Sequence, residues 1–492
     1  MQAPSCAIHK SMFQRPLAYA RRPTSQNELR AGALVLSCFL LTSLGWMLWM
    51  DRLSCFESTP SVEFLTLVAS YLVQAGGVAA YIACARYRPA HITSRTCTVT
   101  ILLFVALLLP VVFGSFAAVV SCGMVANLPC GMLQAHYVTR LAQLVKSDRR
   151  ATVFGRAYAA STVACWLLTR MTEGLEQGLP GLALCCVLAI PSMCAMTWVE
   201  KYAQTGPSDP SASPEPNGVT NTFAPTFALC SALVLLMSIT KSLGFGFPMQ
   251  DLVEGVDLAT SRLFYGTGLL IAGFVFDRDR SWGMLCCVCS LMLPFVSLAL
   301  IGAGISAITL WALSYLLFGF FTVYRVVLLA DLASSTRQLW LASAGLMFGR
   351  LGDALGSAAN LALASHTVAL IALAAAFFVA TMWVAHYGQR LHVSAEPLES
   401  EPMPPDSVPA SQEPPAIDER AVFEAYVQAH DLSSRQQEVL RLMLDGLTNQ
   451  QIGTKLVVSN NTVKFHVRNV LHKTGCSNRT ELQQSYKDFG RS

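Results

Sequence analysis

The chain has 492 residues, 53% of them apolar and 13% charged, with a formal net charge of +4. So little charge beside so much apolar surface excludes an ordinary soluble domain and fits a membrane protein. The cysteines follow no zinc spacing and no framework of paired external thiols, so small apolar packing is their expected role.

In chain order, residues 1–30 form a basic segment with Lys10, Arg15, Arg21, Arg22 and Arg30. Its length, and the full-length apolar run behind it, argue against a cleavable signal peptide. Apolar runs of about twenty residues, the length that crosses a bilayer, then recur. They fall at 31–50, 63–85, 97–115, 118–139, 151–171 and 179–198, then at 223–246, 258–276, 281–300, 303–324, 339–361 and 367–387. Gly114 and Ser115 alone separate the third from the fourth. A linker rich in Pro, Ser and Gly, 199–222, divides them into two halves, 31–198 and 223–387.

Loop charge orients the bundle. Arg86, Arg88 and Arg95 follow the second helix, and Arg140, Lys146, Arg149 and Arg150 follow the fourth. Alternate loops are poor in cations, and the one near 248–257 carries Asp251, Glu254 and Asp257. Basic loops stay cytoplasmic, so a multi-pass protein of the cell membrane with both termini inside is expected.

Polar residues inside these spans mark candidate ligand positions, because charge in a bilayer is costly. Arg350 and Asp353, three residues apart on the eleventh helix, can pair near mid-membrane, and Gln74 reaches a similar depth. Glu63, Arg170, Lys241 and Arg262 form a second group toward the outer end. Gln134, His136 and Tyr137 either line the same cavity or pack. A structural salt bridge and snorkelling side chains are the competing readings. The functional reading is an outward pocket for a small anionic ligand.

Residues 388–420 are rich in proline and acid and forbid a continuous helix. About thirty such residues reach roughly 30 Å as a coil and about 90 Å when extended. A short amphipathic helix, 421–430, then enters a head at 421–492, with Val422, Phe423 and Tyr426 expected to pack on it.

Four helices follow in the head. Ser433 with Gln436 makes a capping-box arrangement before the first. Gly446 stops it, Thr448 caps the second, Ser459 caps the third, and the fourth starts near Asn478. On the third, Val463, Val467, Val470 and Leu471 share one face, leaving Asn461, Lys464, Phe465 and Arg468 on others. Cationic side chains donate to guanine edges, and an apolar ring meets a thymine methyl. Ser459, Thr462 and Lys473 are placed for phosphate, which sets register. Thr448, at the second helix, completes the candidate DNA-contacting set. From Leu432 to Ser492, nine Lys or Arg stand against four Asp or Glu, the charge excess of a DNA binder.

The stretch from Leu432 to Leu482 resembles the LuxR-type helix-turn-helix of bacterial transcription regulators. The matching positions include Glu438, Gly446, Thr448, Asn449, Ile452, Ser459, Thr462, Val463, Lys464, His466, Lys473, Gly475 and Glu481. The resemblance implies sequence-specific binding of double-stranded promoter DNA, as a homodimer through the fourth helix, with Lys464, Phe465 and Arg468 facing bases. Gln436, Gly453 and Thr474 depart from the pattern, which usually has Glu, Ala and Leu there. The helix count, the mid-chain linker and the segment from Gly273 to Arg278 resemble the major facilitator superfamily.

The expected fold class is therefore all-α: a polytopic transmembrane bundle of about twelve helices plus a C-terminal four-helix helix-turn-helix domain. No phosphate loop, nucleophile elbow or metalloprotease motif is present, so neither an enzyme, a cofactor nor a metal site is expected. The expected function is a membrane-embedded one-component transcription regulator whose partners are promoter DNA, the lipid bilayer and a small-molecule ligand. The alternative is a transporter with a regulatory DNA-binding tail.

Overall fold

A computed structural model describes residues 24–56, 60–171, 178–203, 220–245, 258–302, 304, 306–363, 366–394, 419–447, 449–456, 460–476 and 479–489. The chain divides into two compact units, Met1–Leu398 and Glu399–Ser492. The linkers expected at 199–222 and 388–420 lie for the most part outside the described residues, as does the acidic loop at 248–257.

Among the described residues, twelve long helices build the first unit. They are α1 (Gln26–Ser54), α2 (Pro60–Tyr87), α3 (Ser94–Phe113), α4 (Phe116–Leu144), α5 (Ser147–Met171) and α6 (Gly178–Ala203). The second set is α7 (Thr220–Phe245), α8 (Leu258–Arg278), α9 (Arg280–Gly302), α10 (Ala307–Ser335), α11 (Ala344–Leu363) and α12 (Thr367–Ser394). Caps set the starts: the Glu28 N–H donates to Ser25 Oγ at 3.2 Å, and the Glu28 carboxylate accepts from Ser25 N–H at 3.3 Å. The narrow break between α3 and α4 is real, with Gly114 and Ser115 both extended.

Eight of these helices are long and apolar enough to cross a membrane. The others are α5, α8, α9 and α11; on α9 the apolar stretch, Arg280–Val296, is shorter. The remaining three have a physical reason to be less apolar. The halves α1–α6 and α7–α12 meet through α5 against α8 and α2 against α11. Six added to α5 gives α11 and six taken from α8 gives α2, so exchanging the two halves turns one contact into the other. Interfacial helices show less surface to lipid, and they carry the polar residues.

The α5–α8 contact is close. A Cβ on Gly155 would lie 2.5 Å from the Leu269 carbonyl oxygen, and one on Gly273 would lie 2.7 Å from that of Ala151. At the C-terminal end of α8 a polar latch joins the halves. The Asp277 carboxylate accepts from the backbone N–H of Ala151 at 3.0 Å and of Thr152 at 2.6 Å, near the start of α5. Arg280 bridges Asp277 at 3.2 Å and Asp331 on α10 at 2.9 Å. Arg150, buried, pairs with Asp331 and donates to Ser334 Oγ at 2.8 Å. The segment from Gly273 to Arg278 is the last turn and a half of α8, and its Asp277 makes this latch.

The second unit holds α13 (Glu419–Ala429), α14 (Ser434–Leu444), α15 (Asn449–Leu456), α16 (Asn460–Lys473) and α17 (Arg479–Phe489). Its core gathers Tyr426, Leu432, Val439, Leu440, Met443, Ile452, Val463, Val467, Val470 and Leu482. Among the described residues, the molecule has no strand.

Candidate functional site

The head is built around α16. Val463 and Val470 are fully buried and Val467 nearly so, the apolar stripe the spacing requires. Gly446 ends α14 with φ +79°, a conformation a side chain would strain. The Gln436 side chain accepts from the Ser433 N–H at 2.9 Å, so glutamine serves the cap here as glutamate would. Thr474 is buried and donates to the Val470 carbonyl at 2.9 Å, which satisfies the hydroxyl where the family pattern has a leucine.

Opposite the stripe, Phe465 is 62% exposed, and Thr462 and Arg468 are exposed beside it. Exposed aromatic area of this size is unfavourable in water unless a partner covers it. Asn461 and Lys464 lie on the same helix. Thr448 and Ser459 lie outside the described residues. Lys473 is exposed at the end of α16, and its ammonium donates to the Asp431 carbonyl, tying α16 to the turn before α14.

α13 packs onto α17 through rings. Tyr426 is fully buried, with the Tyr486 and Phe489 centroids each 5.2 Å away and its hydroxyl 3.1 Å from Ser485 Oγ. Burial raises its phenol above the ordinary value. The expected packing of Phe423 and Tyr426 is found, and Arg441 lies over the Phe423 ring at 4.7 Å.

The first unit holds a cavity of about 300 Å³ between its halves. Gln74, Gln134, Tyr158, Arg262, Tyr265 and Arg350 line it, with Trp46 and other apolar residues. Gln74 donates to Asn127 Oδ1 at 2.6 Å, and Arg262 donates to the Met47 sulfur at 3.0 Å. Behind the wall, Asp353 is buried among cations: Lys241 at 2.7 Å, Arg325 at 3.3 Å and Arg350 at 3.7 Å.

The structure therefore joins the expected Arg350–Asp353 pair, but as the longest of three. It moves Lys241 from the expected outer group into the Asp353 cluster, because α7 packs along α11 and sets Lys241 against that carboxylate. Arg262 remains on the cavity wall. The side chains of Glu63 and Arg170 lie outside the described residues. Gln134 faces the cavity, whereas His136 packs on Tyr81 and Cys97, and Tyr137 joins the core. Arg325 is not legible as a site residue: by hydropathy the tenth span ends at 324, yet α10 continues to Ser335 and keeps Arg325 inside.

Residues 430–485 match the model of bacterial regulatory proteins, luxR family. The chain is 48% identical over 52 residues to the transcriptional regulatory protein DegU of Brevibacillus brevis, covering 11% of this chain and 22% of that protein. It is 38% identical over 94 residues to the two-component response regulator PprB of Pseudomonas aeruginosa, covering 19% and 32%. The transcriptional regulatory protein LiaR of Bacillus subtilis matches at 42% over 50 residues, covering 10% and 24%. The chain thus spans at most about a third of these relatives' own length. The human organic anion transporter MFSD10 (TETRAN) is similar in structure, with a TM-score of 0.50 and 16% identity over 75% of this chain and 100% of that one. The chain joins a LuxR-type helix-turn-helix domain to a unit of apolar helices similar in fold to that transporter.

Proposed function

We propose that the protein is a membrane-embedded one-component transcription regulator, in which ligand received by the bundle changes promoter occupancy by the head. The observation that carries this is a LuxR-type head and a two-half membrane bundle on one chain. Such a chain needs no diffusing messenger. Lys464, Phe465 and Arg468 read bases, and Asn461, Thr462, Ser459, Thr448 and Lys473 fix the register. Both termini are cytoplasmic: the basic loops and the latch share one end of the bundle, and the cavity lies toward the other.

The ligand must bind two states of the bundle unequally, or nothing shifts. Pairing of two bundles raises the effective concentration of the second head, which suits a homodimer on DNA. A second reading, a transporter with a DNA-reporting tail, draws on the paired halves and their latch. Against it, Asp353 is the single carboxylate of the buried charge cluster, where ion coupling calls for several.

Chromatin immunoprecipitation of the full-length protein, beside Lys464→Ala/Arg468→Ala, tests the reading. Discrete peaks lost in the double variant are expected. Peaks that survive it, or a wild-type head that binds no promoter fragment in vitro, would overturn DNA reading.

A further inference from the structure

The membrane cavity is surrounded by cations that its neighbours do not balance. Lys241, Arg325 and Arg350 share one carboxylate, Asp353, and Arg262 adds a fourth cation that donates to the Met47 thioether. Among the described residues, no carboxylate lines the cavity. Asp353 spends one oxygen on Lys241 and on Ser242 at 3.1 Å, and the other on Arg325 and Arg350. Arg350 has the longest of these pairings, and it is the member of the cluster that reaches the cavity.

Three polar atoms there are buried without a hydrogen-bond partner: Arg350 Nε, Arg262 Nη1 and Gln74 Oε1. Buried polar groups are ordinarily satisfied, and an unmatched one points to a missing partner. Two of the three are guanidinium donors, which recognise a planar oxyanion with a matched pair of bonds. The rest of the wall is mostly apolar, with the rings of Phe39, Trp46, Tyr158 and Tyr265. The volume lies at the low end for small-ligand pockets.

The geometry points to a small aromatic carboxylate as the occupant, its carboxylate between Arg262 and Arg350 and its ring among the aromatic walls. This rests on the regulator reading only in taking the bundle to bind a ligand. Gln74, already bonded to Asn127 through its nitrogen, turns its free oxygen toward a donor, such as a hydroxyl on the ring. An anion there also gives Arg350 a partner closer than Asp353 supplies.

The test uses full-length protein in nanodiscs of phosphatidylcholine. Benzoate, salicylate, 1-naphthoate and indole-3-acetate are titrated against the thermal midpoint, each beside its own neutral amide, with benzylammonium as the cation. At least one carboxylate is expected to bind saturably and tenfold or more tighter than its amide, with no binding of benzylammonium. Arg262→Gln, which leaves the Asp353 cluster intact, should weaken that carboxylate tenfold or more. Arg350→Lys should retain more affinity than Arg350→Gln.

Equal affinity for acid and amide, no binding by any of the four acids, or full affinity in Arg262→Gln would overturn the site. So would displacement of the acid by phosphatidylglycerol in the nanodisc, which would make the occupant a lipid headgroup. A carboxylate that binds but leaves promoter occupancy unchanged keeps this site and sinks the sensor reading. Promoter occupancy that responds to growth conditions while none of the four acids binds keeps the regulator and sinks the site.

Discussion

The two units treat apolar surface in opposite ways. On α3 of the membrane unit, Val99, Leu102, Leu103, Leu109 and Phe113 stand between 49% and 63% exposed, a whole helix face turned outward. In the head, Phe465 is the one large apolar side chain that stands so exposed among the described residues. The interiors are reversed as well. The membrane unit buries Arg325 and Asp353 and half-buries Lys241 and Arg350, while the described head buries aliphatic and aromatic groups with two locally bonded exceptions, Gln436 and Thr474. An exposed apolar residue therefore means little until the surrounding medium is known. On α3 it meets lipid, where it costs nothing; on α16 it stands in water and calls for a partner.

The sharpest way to break this contrast is to remove the anion of the buried charge cluster, Asp353. Asp353→Ala leaves three cations in the bundle without a counter-charge and should cost about 3–5 kcal/mol. A lower thermal midpoint for the membrane unit, with the head's unfolding unchanged, is the expected result. An unchanged midpoint would mean that the cluster is hydrated rather than buried.

In the head, Tyr426→Ala should cost about 3–5 kcal/mol, as for other large buried aromatics. Denaturant unfolding followed by head fluorescence would read it. Gly155→Ala sets a Cβ against the Leu269 carbonyl and should cost about 1–3 kcal/mol through overpacking. Thermal unfolding in detergent measures it, and a neutral result would show that α5 and α8 stand farther apart. The smallest effect on stability belongs to Phe465→Ala, within about 0.5 kcal/mol. Promoter affinity of the same variant, read by fluorescence anisotropy, should nevertheless fall. A stability loss as large as that of Tyr426→Ala would place Phe465 in the core and erase the contrast.

Legibility followed sequence distance. The head could be read because its determinants are local: Ser433 and Gln436 are three residues apart, and Val463, Val467 and Val470 mark one face within two turns. Eight of the twelve described helices were legible for the same reason, since each declares itself by its own hydropathy. The charge cluster was not local. Lys241 and Asp353 are 112 residues apart and Arg325 and Asp353 are 28 apart, so only the packing of α7 and α10 against α11 brings them together. Depth along a helix could be estimated from the sequence, and that found Arg350, Asp353 and Gln74. Which helix faces which could not, so hydropathy sets Lys241 beside Arg262 and leaves Arg325 outside the tenth span.

The facing glycines of α5 and α8 carry a mechanical consequence. Side chains that interlock must be lifted from their sockets before two helices can turn past each other. Gly155 and Gly273 remove such teeth from both sides, so backbone slides on backbone like a journal in a plain bearing. Resistance to turning then resides in the clasp at one end, where Asp277, Arg280, Arg150 and Asp331 hold together. A low-friction pivot with a separate clasp yields little to weak forces and gives way once the clasp is undone.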